Sequence, residues 1–178
     1  MLYGNICRYD VECAIARIHS MAYDVEKMRL QCESERLLLS FYDVRLPSSS
    51  PPAMHSVEHH IPSERLLQDH SAWLLSRYIP ANIYGDGNCL FRSVSYALFG
   101  NQMHHALLRL LAVIEVLTNC YLYDQCNPQF YAPFQADVWV QLPEYQKFIT
   151  ELSRSNSYCD LLAVLATSSV VNKAIQTL

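Results

Sequence analysis

The chain has only four glycines, and three of them, Gly85, Gly87 and Gly100, fall in one stretch, IYGDGNCLFRSVSYALFG, from Ile83 to Gly100. Glycine is the residue that enters left-handed backbone without a Cβ penalty. A chain this poor in it must therefore make its tightest turn here. Leu90, Phe91, Val94, Ala97 and Leu98 then recur at helical spacing. Either Asp86 or Asn88 can cap such a helix, and Gly100 stands where a left-handed C-terminal residue belongs. Gly85 and Gly87 are expected to supply positive φ, and Asp86 to accept from a backbone N–H two residues on. The reading is a tight turn that presents Cys89 at a helix tip.

That position has chemical consequences. The first N–H groups of a helix have no partner within it, and the dipole there favours an anion. A cysteine so placed is more available as a thiolate nucleophile, and the same N–H groups can stabilise an oxyanion formed by its attack on a carbonyl. The plainer alternative is a small buried hydrophobe beside an ordinary turn. The stretch alone leaves both open.

Elsewhere the signals are mostly helical. From Asp10 to about Ser40, Val11, Ala14, Ile15, Ile18, Met21, Ala22, Val25, Met28 and Cys32 alternate by threes and fours, which predicts one long amphipathic helix. Its stripe packs either on its own domain or, through residues 11–32, on a partner helix. RLPSSSPPAMHS, from Arg45 to Ser56, reads as a mobile linker. A helix is expected over Ser63 to about Tyr78, with apolar faces from Leu66, Leu67, Trp73, Leu74 and Leu75. A long one follows from Gln102 to about Tyr123. Residues 127–143, with Pro128 and Pro133, read as irregular. Shorter helices are expected near Glu144–Ser153 and Cys159–Thr167, and VNKAIQTL reads as the start of a strand.

Composition bounds the function classes. Hydrophobic residues make up 51% and charged residues 17%, enough apolar material for a core, and the formal net charge is −4. With no basic block, nucleic-acid binding has no electrostatic footprint. No run approaches the roughly 18 apolar residues of a membrane span, because Arg109 and Glu115 interrupt the richest candidate. Seven cysteines, Cys7, Cys13, Cys32, Cys89, Cys120, Cys126 and Cys159, are scattered and odd in number, which reads as reduced thiols in an intracellular protein. His55, His59 and His60 lack companion ligands, and Cys120 and Cys126 are too loosely spaced for a zinc knuckle, so no metal or other cofactor is expected. Tyr121, Tyr123, Tyr131 and Phe134 are read as packing residues rather than base-stacking ones.

The run Asp86-Gly87-Asn88-Cys89-Leu90-Phe91-Arg92 resembles the signature of the ovarian-tumour (OTU) family of cysteine proteases, which remove ubiquitin from proteins. HHALLRLLAVIEVLTN resembles the next family helix, and YCDLLAVLATSSVVNKAIQTL more loosely the late helix and strand, so the resemblance covers residues 77–178. It implies an α+β, papain-like domain, helix-rich here, with a small β-sheet incomplete at the C-terminus. The implied organisation is an N-terminal helical appendage over 1–44, a linker over 45–61 and an OTU-like domain over 62–178. It also implies ubiquitin or a ubiquitin-like protein as partner, with Cys89 as nucleophile and a thioester intermediate. Asp86 would support an oxyanion loop formed around Gly87 and Asn88, and Arg92 would anchor the helix.

The family also uses a histidine near the C-terminal end of the domain. This sequence has none after His105, and His104 and His105 match a non-catalytic helix-start position. The expectation is either a truncated deubiquitinase or an OTU-like domain that binds without catalysis.

Overall fold

A computed structural model describes residues 9–123 and 144–175. Its helices are α1 Val11–His19, α2 Val25–Phe41, α3 Ile61–His70, α4 Ala72–Leu75, α5 Cys89–Phe99, α6 His105–Thr118, α7 Cys120–Tyr123, α8 Tyr145–Leu152 and α9 Leu161–Val171. The irregular stretch expected over 127–143 lies outside the described residues, as do Cys7, Cys126, Tyr131, Phe134 and the last three residues of VNKAIQTL.

Helix α6 is the axis of the assembly. Leu107, Leu108, Leu110, Ala112, Val113, Ile114, Val116 and Leu117 are all buried, so it is apolar on every side. Such a helix is stable only when surrounded. Helices α1, α2, α5, α8 and α9 pack around it. Each fully buried Leu, Ile or Val contributes about 1.5–3 kcal/mol relative to an exposed one.

The single helix expected over residues 10–40 is two helices. α1 ends at Ser20, and Asp24 starts a new one by accepting from the Lys27 N–H at 3.2 Å. The apolar stripe survives the break. Ala14, Ile15, Ile18, Met28 and Cys32 are buried, with Met21 and Val25 half-buried against the same core. That face therefore packs on α6 and is not left for a partner helix. Between α1 and α2 lies the fully buried carboxylate of Glu35. It accepts from Arg17 Nε at 2.7 Å and Nη2 at 2.9 Å, from Gln31 Nε2 at 2.7 Å and from Tyr9 Oη at 2.9 Å.

The α+β expectation is overturned, because no strand or sheet occurs among the described residues. Extended backbone meets in one antiparallel bridge, His59 with Ala81, flanked by His60 N–H to Pro80 O and Asn82 N–H to Glu58 O, each 2.8 Å. It grows no further because Pro62 lies in the first turn of α3 and Pro80 has no N–H to give a ladder. At the other end α9 runs through Val171 and stops at left-handed Asn172, φ 50°. The residues expected to open a strand are thus spent on helix and cap, and no described segment pairs with Ala174 and Ile175.

The proline-serine segment has no regular structure before Met54 but is tied down. Ser50 N–H and Ser49 Oγ donate to Leu98 O at 2.6 and 3.2 Å, at the C-terminal end of α5. Helices α3 and α4 bury no residue, and Leu66 and Trp73, expected on apolar faces, are exposed. The long helix expected over Gln102–Tyr123 is interrupted at Asn119, which caps α6 and separates α7.

Candidate active site

Cys89 is the first residue of α5, and the helix closes at Gly100 in the left-handed region, φ 70°. Asn88 occupies the N-cap position but caps no helix amide. Its side chain instead donates to Asn156 Oδ1 at 2.6 Å and Asp86 Oδ2 at 3.3 Å, and its backbone N–H to Asp86 Oδ1 at 3.0 Å.

Asp86 is tied across the turn. Arg92, one turn into α5, donates Nε to both carboxylate oxygens at 3.1 and 3.0 Å and Nη2 to Oδ2 at 2.6 Å. The Arg92 guanidinium, with the two Asn88 bonds, holds this carboxyl far below the usual carboxylate range against the opposing effect of burial. Asp86 is therefore a fixed anion with its lone pairs occupied, suited to shaping the turn and not to carrying protons. Arg92 also lies under the Tyr84 ring, 5.5 Å from its centroid.

The two glycines of the turn differ. Gly87 has φ 82°, and a Cβ on it would sit 2.1 Å from the Asn156 carbonyl oxygen, so only glycine fits. Gly85 has nothing within 4 Å of an added Cβ, and its φ is not positive. The expectation that it needs a left-handed conformation is not met.

Arg109, named above only as a break in an apolar run, anchors the site from below. It is 1% exposed. Nη1 donates to the carbonyls of Leu152 and Arg154, both at 2.9 Å. Nη2 donates to those of Gly87 at 3.0 Å and Ser157 at 2.8 Å. Its guanidinium stacks over the Phe91 ring at 4.7 Å. One buried cation thus joins the turn before α5 to the loop after α8. The signal was available, since a charge in a helix otherwise apolar on all faces must find partners or pay heavily for burial. Asn156, left-handed at φ 61°, completes the joint and had no comparable signal.

Cys89 is half-buried and opens on an apolar groove of about 570 Å³ between α5 and α9. Leu90, Val94, Leu98, Val164 and Ile175 form much of its wall, which Cys159 also lines. Burial pushes the Cys159 thiol up to about 11, partly offset by the adjacent Arg109.

No histidine lines the groove. His19 meets Ser153 Oγ at 3.0 Å, His59 meets Glu64 Oε1 at 2.5 Å and His60 meets Ser63 Oγ at 2.7 Å. His104 packs edge-on against Phe99, and His105 contacts Gln102 O at 2.9 Å, where burial lowers its pKa. Among the described residues no three His, Cys, Asp or Glu side chains gather in a way that could hold a metal ion. No described helix is long and apolar enough to cross a membrane.

Residues 80–141 match the family described as "Vertnin, OTU domain". The chain is also 32% identical over 101 residues to "Putative ubiquitin thioesterase 232R" of Invertebrate iridescent virus 3, a match covering 53% of this chain and 11% of the viral protein. The chain thus spans about a tenth of the length of that relative. No solved structure matches it significantly. The family match takes in the Asp86–Cys89 turn, all of α5 and the Arg109 helix beneath them, and over those residues the chain is similar to an OTU domain.

Proposed function

We propose that the domain acts as an OTU-type cysteine hydrolase on ubiquitin or a ubiquitin-like protein, with Cys89 as nucleophile. The observation that carries this reading is the Cys89 thiol at the open N-terminus of α5, on an apolar groove, behind a turn pinned at both ends. The printed name of the viral relative supports ubiquitin as the substrate class.

In this reading the Cys89 sulfur attacks the carbonyl carbon at the C-terminus of the modifier. The bond to the leaving amine breaks as that amine takes a proton, and water then hydrolyses the thioester. Negative charge collects on the carbonyl oxygen in each step. The N–H of Asn88 is committed to Asp86, so the Gly87 and Cys89 amides are the turn's candidates for stabilising it. Asp86 and Arg92 hold the turn in shape and touch no substrate.

One observation favours a second reading, an OTU domain that binds its partner without turning it over. The groove offers no histidine to move the protons that both chemical steps require. The two readings separate on treating the chain with ubiquitin carrying a C-terminal electrophile, alongside a fluorogenic ubiquitin substrate, with Cys89→Ala as control. Cys89-dependent turnover supports the hydrolase. Ubiquitin binding that survives Cys89→Ala, without turnover, supports the binding domain. Absence of both capture and binding would rule out ubiquitin as the partner.

A further inference from the structure

Cys159 is a thiol that the proposed chemistry leaves unused, yet its surroundings are shared with Cys89. Both line the same groove. Each lies two residues beyond a carbonyl, that of Gly87 or Ser157, and both carbonyls are bound by the same nitrogen, Arg109 Nη2. The two oxygens can be no farther apart than those two bonds laid end to end. The segments also touch directly, through Asn88 Nδ2 to Asn156 Oδ1 and through the Gly87 backbone against that of Asn156. Among the other described cysteines, Cys13 is exposed on α1, Cys32 is sealed in the core and Cys120 begins α7, and none of them lines the groove. A disulfide wants Cα atoms roughly 5.5–6 Å apart, a separation within reach of segments whose backbones are already in contact.

We infer that Cys89 and Cys159 form a redox modification site, closing an intramolecular disulfide when Cys89 meets a peroxide. In the first step the Cys89 thiolate attacks one peroxide oxygen. An S–O bond forms, the O–O bond breaks, hydroxide leaves and Cys89 becomes a sulfenic acid. In the second, the Cys159 sulfur attacks the Cys89 sulfur. The S–S bond forms, the S–OH bond breaks, and the departing hydroxide takes the Cys159 proton as water. Two thiols lose two electrons in all, and the peroxide that accepts them becomes two waters. Because the pair opens on a groove, a thiol reductant can reach and reverse it, which separates it from the sulfinic acid an unaccompanied cysteine reaches under further oxidation.

This inference rests on the placement of two thiols and not on the hydrolase reading, although the disulfide would switch that activity off. The test treats the full chain with a small excess of hydrogen peroxide, blocks remaining thiols and maps unreduced peptides by mass spectrometry. The expected result is a Cys89–Cys159 cross-linked pair, about 2 Da lighter than the two free peptides together, restored by dithiothreitol. In Cys159→Ser and Cys159→Ala, Cys89 should instead be trapped by dimedone as sulfenic acid and proceed to sulfinic acid. Sulfinic acid at Cys89 accumulating as fast in the unaltered chain as in those variants would overturn the proposal. So would Cys89 linking to another cysteine or another chain, or resisting peroxide altogether. None of these readouts involves ubiquitin.

Discussion

Arg109 Nη2 donates to the Gly87 carbonyl at 3.0 Å, while the N–H of the same Gly87–Asn88 peptide donates to Asp86 Oδ1 at 3.0 Å. Both polar ends of that peptide are therefore held, one from the buried helix and one from the turn. The neighbouring peptide is held on one side, through Arg92 N–H to Asn88 O at 2.9 Å, which directs the Cys89 N–H away from the body of α5. The geometry of the turn is thus set by Asp86, Arg92 and Arg109 and not by Cys89 itself.

Arg109 should accordingly be the most sensitive polar position in the domain. Replacement by Lys keeps the charge but loses the planar fork that reaches four carbonyls at once. Charge-assisted hydrogen bonds contribute about 1.5–3 kcal/mol each, and buried carbonyls left unpaired add a further cost. Arg109→Lys is expected to lose about 3 kcal/mol or more of unfolding free energy by urea denaturation. Arg109→Met should lose at least as much. Either variant matching the unaltered chain would mean that the clamp contributes nothing.

Gly87→Ala tests the same joint from the other side. An alanine there is strained at φ 82° and drives its Cβ into the Asn156 carbonyl. Strain of this kind costs about 1–3 kcal/mol, and the collision is with backbone, which cannot rotate away. The midpoint of denaturation should fall, while Gly85→Ala, with open space around it, should stay within about 0.5 kcal/mol. Equal effects at the two glycines would contradict the geometry.

The Glu35 cluster gives a pH prediction whose sign can be worked out. Burial pushes this carboxyl up, but the hydrogen bonds from Arg17, Gln31 and Tyr9 outweigh it, and its pKa is lowered overall. A lowered folded pKa contributes stability that is present above the ordinary carboxylate value and is lost as pH falls through the lowered one. Arg17→Met removes the cation and leaves a fully buried carboxylate, at a cost of about 3 kcal/mol at pH 7. That loss should shrink on acidification, because protonation relieves the uncompensated charge. In Arg17→Met with Glu35→Met most of it should be recovered. Denaturation curves at pH 7 and pH 4.5 check all three statements, and a double variant no more stable than Arg17→Met would count against them.

Local patterns in the chain announced the elements better than their joints. The Asp86–Gly100 turn and helix followed from glycine placement and apolar spacing, because both act over a few residues. The break at Ser20–Asp24 was hidden, since the apolar stripe continues in register across it while the Asp24 cap restarts the helix. The expected sheet failed on a non-local requirement. A strand needs a partner, and periodicity within VNKAIQTL says nothing about one. The roles of Arg109 and Asn156 were illegible for the same reason, as their partners lie far away in the chain, backbone carbonyls for Arg109 and the Asn88 side chain for Asn156. Arg109 alone left a trace, a charge in a segment with no polar face.

The last prediction is that this chain hydrolyses ubiquitin conjugates poorly while Cys89 remains chemically reactive. Alkylation needs only an accessible thiol, and Cys89 is half-buried on an open groove. Turnover also requires a group that protonates the leaving amine and activates water, ordinarily a positioned histidine. The seven histidines of the chain all lie among the described residues, and none lines the groove. Losing one member of such a catalytic unit costs several orders of magnitude in rate in the subtilisin series. Iodoacetamide should therefore label Cys89 readily, whereas a fluorogenic ubiquitin substrate should turn over at least about a thousandfold more slowly than with a typical cysteine hydrolase of 1–10³ per second. Cys89→Ala should abolish both the labelling at this position and the slow turnover that remains. Fast, Cys89-dependent hydrolysis would mean that a histidine reaches the groove in a conformation other than this one. His105 would be the first to examine, since it begins α6, the helix that carries Arg109.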